Sequence, residues 1–316
     1  MKLRTWGVSI LTSLLSTVVL ARPAAAQLLG AKPAAVTNGE AISAAELDKQ
    51  VQYILKQRPP ANALSDAQKK QMCFDVLTSM IDDLLMRQFL RKNAPRIEQA
   101  EVNRELAQLE VSLKAQKQSL KDFCRDNGQT EAELRDDIVS RCQWRGYAQA
   151  RISEAEVHRY YDEYKDFFDK VQVRVSHIVL RVPANSSEAQ IQATRDKLLA
   201  LRQEIVAGKI DFAEAAKKYS QCPSAPKGGD IDYVYRKGHV HEGFAKAAFA
   251  LKVGEISDVV QTDYGLHLIK ATDRKPGQPS DYNKIKDDVR MFYESELWQV
   301  ILAQERVKSK VDINLP

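Results

Sequence analysis

After Ser65 the apolar residues Met72, Val76, Leu77, Met80, Ile81, Leu84, Leu85 and Phe89 recur at helical spacing. One face of this stretch is apolar, which predicts a long amphipathic helix. A Ser or Thr followed three residues later by Glu or Gln can satisfy two orphan amides reciprocally, and so marks a helix start. Ser43 with Glu46, Ser65 with Gln68, Thr130 with Glu133 and Ser153 with Glu156 all fit. Another helix is expected from about Ile97 to Phe123, ended by Asn127 and Gly128, which tolerate left-handed geometry. The helix from Thr130 runs to about Ala150, and the one from Ser153 carries Val157, Tyr160, Tyr161, Tyr164 and Phe167. Such an aromatic stripe is more often core than a ligand platform, so residues 35–168 read as a helical domain.

The period changes at "KVQVRVSHIVLRV", where Val171, Val173, Val175 and His177 alternate with Gln172, Arg174 and Ser176, as in a strand with one buried face. A domain boundary is expected near residue 170. Helices follow from Ser187 to Ala207, closed by Gly208, and from Asp211 to Tyr219. Then come a strand "IDYVY", a short helix "EGFAKAAFAL", and a pair of strands, "SDVVQ" and "GLHLIKAT", joined by "TDYG". A few strands with helices over one face make a small α+β unit over residues 171–275. "RKPGQPS", residues 274–280, is a linker by its Pro and Gly. Ser280 can cap a last helix whose apolar face is Ile285, Val289, Phe292, Tyr293, Leu297, Val300 and Ile301. A lone helix cannot bury that stripe, so residues 280–316 are expected to return to the helical N-terminal domain, which makes the middle domain an insertion. The fold class is α+β.

Composition, at 44% apolar and 28% charged, is that of a folded soluble protein. The chain opens with Lys2 and Arg4, then "WGVSILTSLLSTVVLA", then "RPAAAQ", a small-residue cleavage pattern ending at Ala26. This reads as a cleavable signal peptide over residues 1–26 and implies a periplasmic or secreted protein. The apolar run is shorter than the ~20 residues a spanning helix needs, so no stable membrane span is expected after cleavage. Removing Lys2, Arg4 and Arg22 lowers the formal charge from +5 by three to +2, which leaves no case for nucleic acid. Nothing in the motifs calls for a cofactor. His239 and His241, one residue apart, are two ligands on a loop and fall short of a metal site.

Four cysteines in an oxidising compartment suggest one or two disulfides. Cys124 and Cys142 flank the turn "DNGQT", one close to it and the other about three helical turns beyond. That offset exceeds the ~6 Å Cα separation a disulfide tolerates. A bridge from Cys73 to Cys124 or to Cys142 is the expected pairing, which leaves Cys222 free.

The segments "VSHIVL", "FAEAAKKYSQCPSAPKGGDIDYV" and "RKGHVHEGFAKAAFALKVGEISDVVQTDYGLHLIK" resemble the parvulin family of peptidyl-prolyl cis-trans isomerases over about residues 171–273. The flanking helices, with "VTNGEAISAAELD" near the start, resemble the exported SurA-type and PrsA-type foldases. The resemblance implies that His177 and His267 are paired beneath the catalytic floor and that Cys222 is the active-site thiol. It also implies that Ile231, Val240 and Phe244 line a proline pocket with Thr262 at its rim, and that His241 stands where a glutamine or similar polar group often sits. The family frequently has Met at Val240 and an aromatic near Val234, which implies a wider pocket and weaker affinity here. The arginine pair of phosphoserine-specific members is absent, with only Arg181 near, so phosphopeptide specificity is not expected.

Taken singly, His177 and His267 read equally well as core histidines that hold two strands in register, and Cys222 as a small buried hydrophobe. The function implied is rotamase activity on unfolded or partly folded exported polypeptides with X-Pro bonds. The alternative is a periplasmic holdase chaperone whose parvulin domain only binds peptides. A cysteine hydrolase would need a base beside Cys222 and an oxyanion hole, and nothing after "SQC" opens a nucleophile-bearing helix.

Overall fold

A computed structural model describes residues 32–183 and 185–315. The signal-peptide expectation, on residues 1–26, lies outside them. The chain runs through β1 (Ala35–Thr37), β2 (Glu40–Ile42), α1 (Ala44–Gln57), α2 (Asp66–Asn93), α3 (Gln99–Ala115), α4 (Leu120–Asp126) and α5 (Glu131–Gln149). It continues with α6 (Glu154–Glu163), α7 (Lys165–Phe168), β3 (Gln172–Leu180), α8 (Glu188–Val206), α9 (Phe212–Tyr219), β4 (Asp230–Tyr235) and α10 (Glu242–Ala250). It ends with β5 (Val260–Thr262), β6 (Gly265–Lys275), α11 (Tyr282–Lys308) and β7 (Val311–Ile313). No helix of the described residues is long and apolar enough to cross a membrane. The described residues up to Ser153, with those from Met291 on, form one compact unit, and Glu154–Arg290 form another.

In the first unit, reciprocal capping boxes at Ser43, Ser65 and Thr130 start α1, α2 and α5. The single helix expected from about Ile97 to Phe123 is instead two. Lys117 is left-handed at φ 59° and breaks it, and the Ser119 hydroxyl accepts from the Asp122 N–H to start α4. A three-stranded antiparallel sheet, in the order β2-β1-β7, was not foreseen. It places Ala35 opposite both Ile42 and Ile313, so the two ends of the described chain share one sheet. Strands of three residues are too short to show a period of two.

The main core packs Leu77, Met80, Leu84 and Leu85 of α2 with Leu47 and Val51 of α1 and with Ile301 and Leu302 of α11. Trp298 of α11 meets Trp144 edge-on at 4.8 Å. Val300, expected on the apolar face of α11, is 53% exposed. Ser280 does not cap this helix. Its hydroxyl donates to Asp169 Oδ1, and the Asp281 carboxylate accepts from the Asn283 N–H instead.

All four cysteines are free thiols. The expected bridge from Cys73 does not form, because Cys73 packs against the α1–α2 core while Cys124 and Cys142 are buried with Val102, Leu106 and Ile138 in a separate cluster. Cys124 and Cys142 do reach one cluster, because the chain reverses at the Gly128 turn and lays α4 back against α5.

Residues 154–168, read from the sequence as part of the helical domain, belong to the second compact unit. Their rings bury there: the Tyr161 hydroxyl donates to the Ser280 carbonyl at 2.7 Å, and Arg274 pairs with Asp166 at 2.6 Å.

Between α2 and α5, Arg87 bridges the buried Asp137 carboxylate, at 2.7 Å, and the partly buried Asp83 carboxylate, at 3.4 Å. One guanidinium shared between two neighbouring carboxylates cannot fully compensate both where water is partly excluded. Burial pushes Asp83 up to about 6, with Arg87 opposing and Asp137 adding to the rise. A carboxyl whose folded value exceeds its unfolded one stabilises the fold at low pH and loses that contribution as pH rises through the folded value. The contribution of Asp83 to the urea midpoint of the helical unit is therefore expected to fall between about pH 4 and pH 6, and Asp83→Asn should remove that part of the slope. An unaltered slope in the variant would refute the assignment.

Candidate functional site

The second unit is built on a four-stranded antiparallel sheet in the order β4-β3-β6-β5. β3 pairs along its length with β6, placing His177 opposite Ile269 and Val179 opposite His267. Side chains alternate across a strand, so residues two apart share a face. Val173 and Val175 of β3, with Ile269 and Ala271 of β6, pack on Phe244, Ala248 and Phe249 of α10. Ile178, Leu266 and Leu268 pack on Leu198 of α8 and Phe212 of α9 on the opposite face. Helices thus cover both faces rather than the one expected, which is why the alternation of β3 gives way to continuous burial from Val175 to Val179. His177 and His267 fall on the α10 face.

The thiol arrives on a loop stitched along the far half of β3. The Gln221 N–H donates to the Val179 carbonyl at 2.8 Å, the Val179 N–H to Ser220 Oγ at 3.1 Å, and the Arg181 N–H to Gln221 Oε1 at 2.6 Å. These bonds extend the sheet edge beyond the end of β4 and hold Cys222 half-buried. After a short turn at Ala225–Lys227 the chain meets β3 at Gly229, whose carbonyl accepts from the His177 N–H at 2.9 Å. A Cβ there would lie 2.3 Å from the His177 carbonyl oxygen, and φ is +81°, so the approach requires glycine. A bulge follows. Ile231 and Asp232 together oppose Val175, and Asp232 takes φ 66°, its N–H donating to Asp230 Oδ1. An extra residue in one strand re-aims the side chains beside it. Ile231 thereby borders the cavity although the strand reads as regular.

α10 brings two more groups. His241 is its N-cap, with Nδ1 accepting from the Gly243 N–H at 3.2 Å, and Nε2 lies 3.8 Å from Asp263. Phe244, one turn on, sets its ring edge-to-face with both imidazoles, at 5.5 Å from His177 and 5.6 Å from His267.

The two imidazoles face each other through Nδ1 at 3.2 Å. One proton must lie between the two nitrogens, since two would repel and none would leave opposed lone pairs. His267 Nε2 meets Thr262 Oγ1 at 2.8 Å, and the Thr262 oxygen also accepts from the Tyr264 N–H. His177 Nε2 is buried with no hydrogen-bond partner among the described residues. Burial holds His177 below the ordinary histidine value. Burial, then His177 and His241, push His267 down to about 4. The pair is neutral at physiological pH.

His177, Cys222, His267, Ile231, Val240, His241, Phe244 and Thr262 all line a single cavity of about 660 Å³. The structure brings together every site residue expected from the sequence. It adds Gln221, Pro223, His239, Asp263 and Tyr264, of which the sequence singled out His239, beside His241, and the tight "TDYG" turn. A larger groove, about 810 Å³, runs along α8, but Arg202, Asp211, Glu255 and Lys270 line it with no buried histidine or thiol. Among the described residues, no group of three or more His, Cys, Asp or Glu is placed to hold a metal.

Residues 177–273 match the PPIC-type PPIASE domain, and residues 2–145 match the SurA-like N-terminal domain. The chain is 34% identical over 163 residues to the foldase protein PrsA of Geobacillus sp. (strain WCH70), covering 51% of this chain and 50% of that one. It is 42% identical over 114 residues to peptidyl-prolyl cis-trans isomerase Pin1 of Malus domestica, covering 32% of this chain and 93% of that protein. It is 27% identical over 288 residues to the chaperone SurA of Thiobacillus denitrificans (strain ATCC 25259 / T1), covering 87% of this chain and 63% of that one. The chain thus spans about half the length of the PrsA relative.

A neutral imidazole pair has a pH signature. The Cε1–H resonances of His177 and His267 should both titrate with midpoints below that of an ordinary histidine, that of His267 near about 4, because both folded values are lowered. The unfolded chain takes up protons near pH 6.5, so the pair's contribution to stability is complete above that value and is lost as pH falls toward 4. Titration of either ring with an ordinary midpoint would sink the shared-proton geometry.

Proposed function

From the premise that the chain belongs to the PPIC-type, or parvulin, family of peptidyl-prolyl cis-trans isomerases, we propose that it catalyses X-Pro isomerisation without covalent chemistry in the cavity of Cys222, His177 and His267. The observation that carries this reading is an apolar notch, bounded by Ile231, Val240 and Phe244, above a neutral histidine pair and beside a thiol.

The X-Pro bond crosses a barrier of ~20 kcal/mol because twisting it destroys amide resonance. In the twisted state the nitrogen is pyramidal and the carbonyl loses part of its charge, so an apolar site favours it over the dipolar planar amide. Phe244, Val240 and Ile231 grip the proline ring while the chain on its other side rotates. Thr262 fixes the ring orientation of His267, and the neutral pair beneath places no net charge under the reacting amide. Cys222 serves as a polarisable, weakly hydrogen-bonding wall beside the carbonyl. Each ~1.4 kcal/mol of preferential binding is about tenfold in rate, so a few such contacts supply a thousandfold. Among the described residues that line the cavity Arg181 is the one Arg or Lys, which makes a phosphorylated residue before proline an unfavoured substrate.

The substrates are unfolded or partly folded polypeptides, a reading supported by the SurA-like N-terminal match. That match also favours a second reading, in which the protein holds chains without isomerising them. Export rests on the pattern of residues 1–26, and N-terminal sequencing of protein recovered from the cell envelope or medium should begin at Gln27.

In a proline-limited refolding assay the full chain should accelerate the slow phase, and Phe244→Leu should lower kcat/KM by about tenfold, the loss of ~1.4 kcal/mol of preferential contact. Cys222→Ser should keep activity within about tenfold of the parent; complete loss, or a trapped covalent adduct, contradicts the non-covalent mechanism. Protection of a proline-free client with no effect on the slow phase would decide for holding alone.

A further inference from the structure

The lip of the cavity is the segment 236–241 between β4 and α10, and it is poorly tied by its own backbone. Gly238 sits at φ +82°, and among the described residues Gly238, His239 and Val240 make no backbone hydrogen bond to another segment. Yet Val240 and His241 wall the notch. Side chains provide the fixing. The Arg236 guanidinium, 6% exposed, donates twice to the Glu242 carboxylate, at 2.9 and 2.7 Å, and closes the base of the loop. It also lies 4.9 Å over the Tyr164 ring. Lys237 Nζ sits 3.4 Å from the centroid of Tyr164 and 5.0 Å from that of Tyr160. A cation over an aromatic face is held by the ring quadrupole, more strongly where water is partly excluded.

These rings belong to α6 and its end, outside the residues that match the isomerase domain. The segment is itself anchored within the same compact unit, by Tyr161 on Ser280 and by Asp166 on Arg274. We propose that Tyr164 and Lys237 are positioning residues, through which the aromatic segment preceding the sheet holds the lip in the shape that receives proline. The inference rests on the isomerase reading of the cavity. A lip released from Tyr164 spends part of its time away from the binding shape, and apparent affinity falls by the fraction still competent. Substrate bound in the competent shape meets the same floor, so turnover at saturation is preserved.

The test uses the full chain with Tyr164→Leu, Tyr164→Phe, Lys237→Met and Lys237→Arg, reading peptide isomerisation and amide hydrogen exchange of residues 237–241. Tyr164→Leu and Lys237→Met should raise KM by about three- to tenfold with kcat within about twofold, and should quicken exchange in the lip. Tyr164→Phe keeps the ring face and Lys237→Arg keeps the cation, so both should return KM and exchange to near the parent values. Lys237 is only half-buried, so its variant reads the contact even if Tyr164→Leu unfolds the unit. Unchanged KM together with unchanged lip exchange, or failure of both conservative variants to restore, overturns the proposal. If the parent shows no isomerisation while lip exchange still responds to Tyr164→Leu and Lys237→Met, the catalytic reading fails and the bracing of the lip stands.

Discussion

Two imidazoles sharing one proton inside a protein constrain everything around them. His177 and His267 come within 3.2 Å through Nδ1 only if neighbouring strands hold a fixed register, neither ring is charged, and something orients the outer nitrogens. The ladder from Val175 to Leu180 against Leu266 to Ala271 supplies the register. Phe244 sets its edge against both rings and contributes to their burial. Thr262, held by the Tyr264 N–H across the β5–β6 turn, fixes the outer nitrogen of His267. The closeness of that turn to β3 shows at Gly265, where a Cβ would stand 2.3 Å from the Leu180 carbonyl oxygen.

The rest of the site follows from the need to bring a loop and a helix over this floor. The Cys222 loop borrows the edge of β3 beyond the end of β4, so hydrogen bonds from its backbone and side chains to the β3 backbone fix the segment that carries the thiol. The bulge at Ile231 and Asp232 sends one apolar side chain toward the notch where a regular strand would have kept its alternation. The floor and the thiol loop are therefore rigid by hydrogen bonding. The lip is fixed mainly by charged and aromatic side chains.

The helical unit solves a different problem. Its first and last strands pair with each other, Ala35 opposite Ile313, and α11 gives Ile301 and Leu302 to the core of α1 and α2. The early and late parts of the chain thus complete one another's core. The partly buried set of Arg87, Asp83 and Asp137 ties α2 to α5 at an electrostatic cost that an all-apolar contact would avoid.

Much of this architecture was legible in the sequence because its causes are local. Capping residues at Ser43, Ser65 and Thr130 act within one helical turn, so the starts of α1, α2 and α5 could be read directly. The ordered set from His177 to His267 was likewise readable, because the resemblance carried each residue to its position, and all eight do converge on one cavity. The β1-β2-β7 sheet was not readable, since three-residue strands have no period and β7 pairs with a strand at the other end of the chain. Helices on both faces of the central sheet, the bulge at Asp232 and the separation of Cys73 from the other two helical-domain cysteines likewise depend on partners distant in sequence. Local hydrogen bonding and periodicity chose the elements; long-range burial alone decided which faces meet, and with them the shape of the notch.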